Sequence, residues 1–210
     1  MLGVINKVRA YRWYWLGRRT ISQEIKRILQ EKKPLKIILG ASETGYDGWI
    51  ATDLPHFDAS KTEDWDYFFS KKSIDNLLAE HVYEHLTLEQ TKKSFLLLKE
   101  YLKPGAVFRI AVPDGYHDSP AYIDYVKPGT EHAGWLNHQV LWNRDLLAKM
   151  ADDCGFEATF LQYYTRDHQL IDIYKDDENG IIMRTSEKYK TIIEYSFPYT
   201  SLIADLRPKP

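Results

Sequence analysis

The chain has 210 residues, enough for one domain, or a domain with an arm, and a real core. Lys and Arg number 28 against 30 Asp and Glu, a net charge of -2 with His neutral, so there is no electrostatic footprint of a nucleic-acid binder. The 44% hydrophobic and 14% aromatic content excludes wholesale disorder despite a mean hydropathy of -0.47, and a single cysteine, Cys154, excludes an internal disulfide and a cysteine-based zinc site.

Met1 to Leu16 is interrupted by Lys7, Arg9 and Arg12, which argues against a secretory signal, and no apolar run reaches the roughly 18 residues of a spanning helix. With the lone cysteine this makes a reducing cytoplasm the expected setting. Arg18 and Arg19 extend the basic run ahead of the first acid, Glu24, interleaved with Tyr11, Trp13, Tyr14, Trp15 and Leu16. The plainer expectation is a terminal helix whose Trp and Leu side chains cover the body of the domain. Weak contact with an anionic membrane surface or a partner is the alternative. Residues 1–34 are therefore set apart as an arm and helix, and 35–210 as the main domain.

Thr20 or Ser22 is expected to cap a helix through Ile25, Ile28 and Leu29, limited by Pro34. Leu35 to Leu39 is a short β-branched run stopped by Gly40, a buried strand. Trp49 to Asp53 fits a second strand and Phe57 to Ala59 a very short third. After the polar, aromatic stretch Lys61 to Lys72, Ile74 to Ala79 is again strand-like. Thr87 and Gln90 have capping-box spacing ahead of Phe95, Leu96, Leu98 and Leu102, with Pro104-Gly105 as the stop. Ala106 to Val112 is a strand ending at the turn Pro113-Asp114-Gly115. Residues 115 to 138 read as one long loop, Asn143 starts a helix closed near Gly155, and Phe156 to Tyr163 and Thr200 to Leu206 are the last strands. The excursion Thr165 to Lys190 separates them. Apolar early strands imply a largely parallel sheet with helices on both faces, an α/β Rossmann-like layer.

In such sheets ligands collect at the carboxyl ends of the strands. The residues standing there are Gly40-Ala41-Ser42, Asp53, Asp58, Glu80-His81 and Asp114. Two acids on neighbouring strand ends suit the hydroxyls of a ribose and an adenine amino group, and a glycine turn admits a ligand against the backbone.

These segments resemble the class I S-adenosylmethionine-dependent methyltransferases, in a subgroup with a short loop before a Gly-Trp strand. The likeness runs through Ile37 to Ser42, Gly48-Trp49-Ile50, Asp53-Leu54, Ser73-Ile74-Asp75 and Ala79 to Leu86, whose Glu-His-Val-Tyr-Glu-His, together with the later Leu102-Lys103-Pro104-Gly105 at this separation, is its specific part. It continues through Leu102 to Ala106, Arg109 to Asp114, Asn137-His138, Asp153 to Phe156 and Thr200 to Asp205. The resemblance implies S-adenosylmethionine as cofactor and an antiparallel C-terminal strand, while the neutral, aromatic character of residues 115 to 138 and the missing nucleic-acid footprint make a small polar acceptor, such as a sugar or other metabolite, the expected substrate. By it, Gly40, Ala41 and Ser42 approach the methionine part, Asp53 with Leu54 meets the ribose, and Asp58 and Ala59 frame the adenine. Trp65 covers the adenine or joins the core, and Glu80 and His81 lie beside the sulfonium and the acceptor. His81 is the expected base or acceptor-positioning group, with His138 second as a lid residue; a histidine suits that proton transfer.

The chain departs from the family at Gly40-Ala41-Ser42, where Gly-x-Gly is usual, and only residues 41 to 48 separate the first two strands. A parallel crossover normally takes about a dozen residues or more, so either a shortened crossover or a hairpin fits. A non-catalytic, nucleoside-binding relative is thus the alternative function. A rival lies in His81-Val82-Tyr83-Glu84-His85, which matches the H-x-x-E-H zinc signature of inverted zincin peptidases, with Glu157 nominated as a third ligand. That chemistry needs both histidines on one helical face, whereas a strand leads into the motif and a helix starts after it, so no metal is expected. Glu84 and His85 read equally well as buried polar groups bonded to backbone.

Overall fold

The computed structural model describes the backbone of residues 2–129, 137–188 and 200–210, and within these the side chains from residue 13 onward. In chain order the elements are α1 (Leu2–Gln30), β1 (Lys36–Leu39), β2 (Trp49–Thr52), α2 (Thr62–Phe68), β3 (Ile74–Glu80) and a 3-10 turn (Tyr83–His85). They continue as α3 (Leu88–Lys99), β4 (Leu102–Pro113), α4 (Pro120–Val126), α5 (Arg144–Asp153), β5 (Phe156–Tyr164), β6 (Leu170–Asp172) and β7 (Ser201–Pro208). The described strands form one sheet in the order β2-β1-β3-β4-β7-β5-β6. Its first four strands are parallel, β7 runs antiparallel between β4 and β5, and β6 pairs antiparallel at the edge. This is the expected Rossmann-like α/β arrangement.

β1 and β2 are parallel, with Leu39 beside Thr52, although the nine residues between them contain no helix. Backbone in the left-handed region makes the short return, at Gly40 (φ +58°), Ser42 (φ +47°) and Gly48 (φ +77°). The hairpin alternative is thereby excluded.

Alternation along the strands divides the core. Ile37, Leu39, Leu77, Ala79, Phe108, Ile110, Leu202 and Ala204 face a layer built by Ile25 and Ile28 of α1, Trp65 and Phe68 of α2, Phe95 and Leu98 of α3, and Leu147 and Met150 of α5. Each fully buried large apolar side chain contributes about 1.5–3 kcal/mol, so this layer holds most of the stabilising surface. The opposite parity, Ile38, Leu78, Ala111 and Ile203, packs against Ile182, Tyr46, Trp49 and Tyr174. The expected helical cover is therefore met on one face, and among the described residues the other is covered by the non-helical stretch 173–187.

Arg109 holds that stretch down. Its guanidinium makes two bonds to the Asp205 carboxylate (2.7 and 3.0 Å), two to Asp177 (2.8 and 3.2 Å) and one to the Gly180 carbonyl (2.6 Å). A fork of this kind pins the 177–180 turn to the middle of the sheet.

Several expected elements are corrected. Thr20 and Ser22 lie inside α1 rather than capping a helix, and the Thr20 hydroxyl donates to the Leu16 carbonyl at 3.0 Å. Phe57 to Ala59 is not a strand, because Phe57 turns into an aromatic cluster with Trp65, Phe68 and Phe69. The stretch 61–72 contains α2, and 115–138 contains α4, with Ser119 as its cap and Pro120 in its first turn. Leu102 opens β4, since α3 ends at Lys99. Two expectations were right in detail. Thr87 and Gln90 form the capping box of α3, and Asn143 caps α5.

Arg18 is buried and paired with Asp64 at 2.6 Å, joining α1 to α2, so it is not part of an exposed basic surface. Trp13, Trp15 and Leu16 remain exposed rather than covering the domain. The side chains of Lys7, Arg9, Tyr11 and Arg12, and the loop residues His132, Gly134 and Trp135, lie outside the described residues. So does Lys190, the end of the expected excursion. No described helix is long and apolar enough to cross a membrane.

Candidate functional site

The register sets Leu39 between Thr52 and Ala79, so the next residues, Gly40, Asp53 and Glu80, stand at three adjacent strand ends. Gly40 is needed twice over. Its φ is +58°, and an added Cβ would fall 2.6 Å from Val82 Cγ2. Ala41 is buried and its N–H donates to the Thr52 carbonyl at 3.0 Å. The next N–H, of Ser42, donates to Asp53 Oδ2 at 2.7 Å, and Asp53 Oδ1 accepts from Leu54 N–H at 2.7 Å. Each oxygen of this half-buried carboxylate thus takes one backbone donor and keeps capacity for another, as a vicinal diol would require. Leu54, 67% exposed, presents its side chain beside it.

The other expected cofactor residues are engaged within the protein. Asp58 accepts from the Ser60 N–H and hydroxyl (3.0 and 2.7 Å) and pairs with Lys61 at 3.0 Å. Burial pushes its carboxyl up, but the Ser60 bonds and Lys61 outweigh this and hold it below the usual range. Ala59 offers its carbonyl to Trp65 Nε1 at 2.9 Å. Trp65 is fully buried and stacked on Tyr101 at 5.1 Å, so it is a core residue and not a cover for adenine. The Glu80 carboxylate accepts the N–H groups of Met183 (3.1 Å) and Arg184 (2.8 Å), which tie the far-face stretch to the strand ends.

His81, at φ +55°, is turned inward. Its Nδ1 lies 2.9 Å from Glu84 Oε1 and its Nε2 2.9 Å from Ser201 Oγ. Because the Ser201 hydroxyl donates to the Arg184 carbonyl (2.7 Å), it accepts from His81 Nε2. Both ring nitrogens are therefore committed, and His81 is not the free base expected. Glu84 is fully buried; burial raises its carboxyl, but the His81 and His85 imidazoles beside it bring it below the usual range. His138 is also buried rather than a lid on the surface. Its Nδ1 donates to the Val126 carbonyl at 2.6 Å, and burial lowers its pKa, which keeps the imidazole neutral at pH 7. Its ring meets that of exposed His85 edge-on at 4.9 Å.

The H-x-x-E-H motif occupies a strand end and a single 3-10 turn, so His81 and His85 do not share a helical face. Glu157, the nominated third ligand, pairs with Arg207 near the end of β7 opposite to Ser201. The peptidase geometry is thus not formed. Asp114 is buried and accepts from Tyr164 N–H (2.7 Å) and Tyr116 N–H (2.9 Å), while burial pushes its carboxyl up to about 6. Cys154 is buried beside Met150, and burial pushes its thiol up, away from nucleophilic use. The partners Ser201 and Arg184 were not expected; only the tertiary contact marks them.

No protein-family model matches the chain, and no curated protein matches it. Solved structures do. An S-adenosylmethionine-dependent methyltransferase from Thermotoga maritima superposes with a TM-score of 0.50 at 11% identity, covering 96% of this chain and 96% of that one. The fold is the Rossmann-like methyltransferase fold. A further such enzyme from Archaeoglobus fulgidus gives a TM-score of 0.48 at 14% identity over 90% of this chain and 94% of its own. A phosphoethanolamine N-methyltransferase from Haemonchus contortus, solved with S-adenosyl-L-methionine, gives 0.43 at 14% identity, covering 90% of this chain and 52% of that one. At these identities the likeness is one of fold.

Proposed function

We propose that the protein is an S-adenosylmethionine-dependent methyltransferase of the class I family. The observation that carries the reading is the Asp53 carboxylate at the end of β2, bonded to the turn that leaves the adjacent parallel β1. Gly40, Ala41 and Ser42 would border the methionine part of the cofactor and Asp53 the ribose, with Leu54 offering apolar contact. Asp58 and Ala59 would border the adenine. When bound, S-adenosylmethionine supplies an electrophilic sulfonium methyl. The chain's part is positioning: holding an acceptor in line with that methyl accounts for much of the acceleration such enzymes achieve. Glu80 and His81 act through the groups they fix, Arg184 and Glu84, and His85 and His138 border the acceptor side.

The acceptor on this reading is a small polar molecule, a sugar or similar metabolite, rather than a nucleic acid. Residues 35–210 are the methyl-transfer domain and 1–34 a helical arm, in a cytoplasmic setting. Melting with S-adenosylhomocysteine tests the reading. A rise in melting temperature that Asp53→Ala removes supports it, and no shift at millimolar ligand overturns it. The non-catalytic alternative draws on the internal engagement of Glu80 and His81. Ligand binding without methyl transfer to any of a panel of hydroxyl and amine acceptors would favour it.

A further inference from the structure

Glu84, His85 and His138 each bring a ligating atom to one place, all within 4.8 Å of one another. We propose that they form a binding site for a divalent transition ion of the zinc type, an inference that does not depend on methyl transfer. Two imidazoles and one carboxylate are a donor set for zinc, whereas magnesium and calcium take oxygen ligands.

The site is built rather than accidental. Glu84 is fully buried, and its Oε2 has no hydrogen-bond donor among the described residues, a costly state that a cation relieves. The segment carrying His138 is clamped to the turn that carries the other two ligands. Gln139 and Val140 N–H groups both donate to the Glu84 carbonyl (2.6 and 3.3 Å), and Trp142 Nε1 donates to the Tyr83 carbonyl at 3.2 Å.

An outer shell orients the ligands. The Val126 carbonyl holds the Nδ1 proton of His138 and so makes Nε2 its ligating nitrogen, while His81 Nδ1 stands 2.9 Å from Glu84 Oε1. Ligand atoms sit about 2 Å from zinc, so the set closes by an inward rotation of His85. Exposed His85 also provides the entry path. Three protein ligands leave a fourth position for water or another small ligand. The H-x-x-E-H motif thus yields a different triad from the peptidase one, with Glu84 as ligand and His138 in place of His81.

The test uses tag-free full-length protein loaded with zinc, dialysed against metal-free buffer and assayed for bound metal. About one zinc per chain is expected. His85→Ala alters only an exposed side chain and should weaken zinc binding by on the order of tenfold or more, as read by competition with a chromophoric chelator. His138→Gln should do the same. Cobalt substitution gives a second readout, with visible d–d absorption in the wild type that His85→Ala abolishes. Wild-type protein that retains no zinc, or His85→Ala that binds it as tightly as wild type with an unchanged circular dichroism spectrum, overturns the proposal.

Discussion

The Asp53 carboxylate accepts the Ser42 backbone N–H at 2.7 Å and so ties the end of β2 to the turn leaving β1. The bond has a structural share and a ligand-binding share, and these separate on substitution. Asp53→Asn keeps the shape but removes the charge, and should cost about 1–2 kcal/mol of stability. On the proposed function it should also weaken S-adenosylhomocysteine binding at least about tenfold by calorimetry, a further 1.4 kcal/mol. Unchanged affinity would remove Asp53 from the ribose site.

Gly40→Ala should destabilise by two separable routes. The left-handed φ costs an L-residue about 1–2 kcal/mol, and the new methyl against Val82 adds an overpacking cost of about 1–3 kcal/mol. Val82→Ala in the same chain should recover the second part and not the first. A double-mutant cycle in urea with no coupling between the two positions would refute this account.

Arg109 and Asp205 are both buried, whereas the Asp177 side chain is 45% exposed. Removing either buried partner strands the other charge, so Arg109→Ala or Asp205→Ala should cost about 3–5 kcal/mol. Asp177→Ala should cost about 1 kcal/mol or less, because solvent screens that pair. Equal losses at 177 and 205 in chemical denaturation would contradict this ranking.

Asp114 titrates at about 6 in the folded chain against an ordinary 3.8, so the folded state holds its proton more tightly. Its contribution is complete below about pH 4 and is lost as pH rises through about 6, by on the order of 3 kcal/mol. Asp114→Asn removes this dependence. The stability of the variant relative to wild type should therefore rise between pH 4 and pH 7 in urea titrations, and a pH-independent difference would show the site is not titrating there.

Elements with a local cause were legible in the sequence. The Thr87–Gln90 box and the Asn143 cap mark their helices because a cap acts within one turn. β-branched runs ending at Gly40 and Asp53 mark β1 and β2. α2 escaped notice because its two turns have an aromatic buried face, Trp65 and Phe68, inside a polar stretch. α4 carried a readable signal, Ser119-Pro120, obscured by the surrounding glycines and prolines. Arg109 in the middle of an apolar strand was the one visible sign of the second face, since a buried charge demands a partner.

Residue order by itself determined the α/β class, the run of strands and the residues at their carboxyl ends, because alternation, caps and turns act over a few neighbours. Tertiary structure decided the parallel course of the short β1–β2 link and, among the described residues, the cover of one sheet face by the stretch 173–187. It also decided which atoms meet: Glu80 with Met183 and Arg184, His81 with Ser201, and Glu84 and His85 with His138. Those contacts join positions 53 to 120 residues apart, and only strand register and packing bring such positions together.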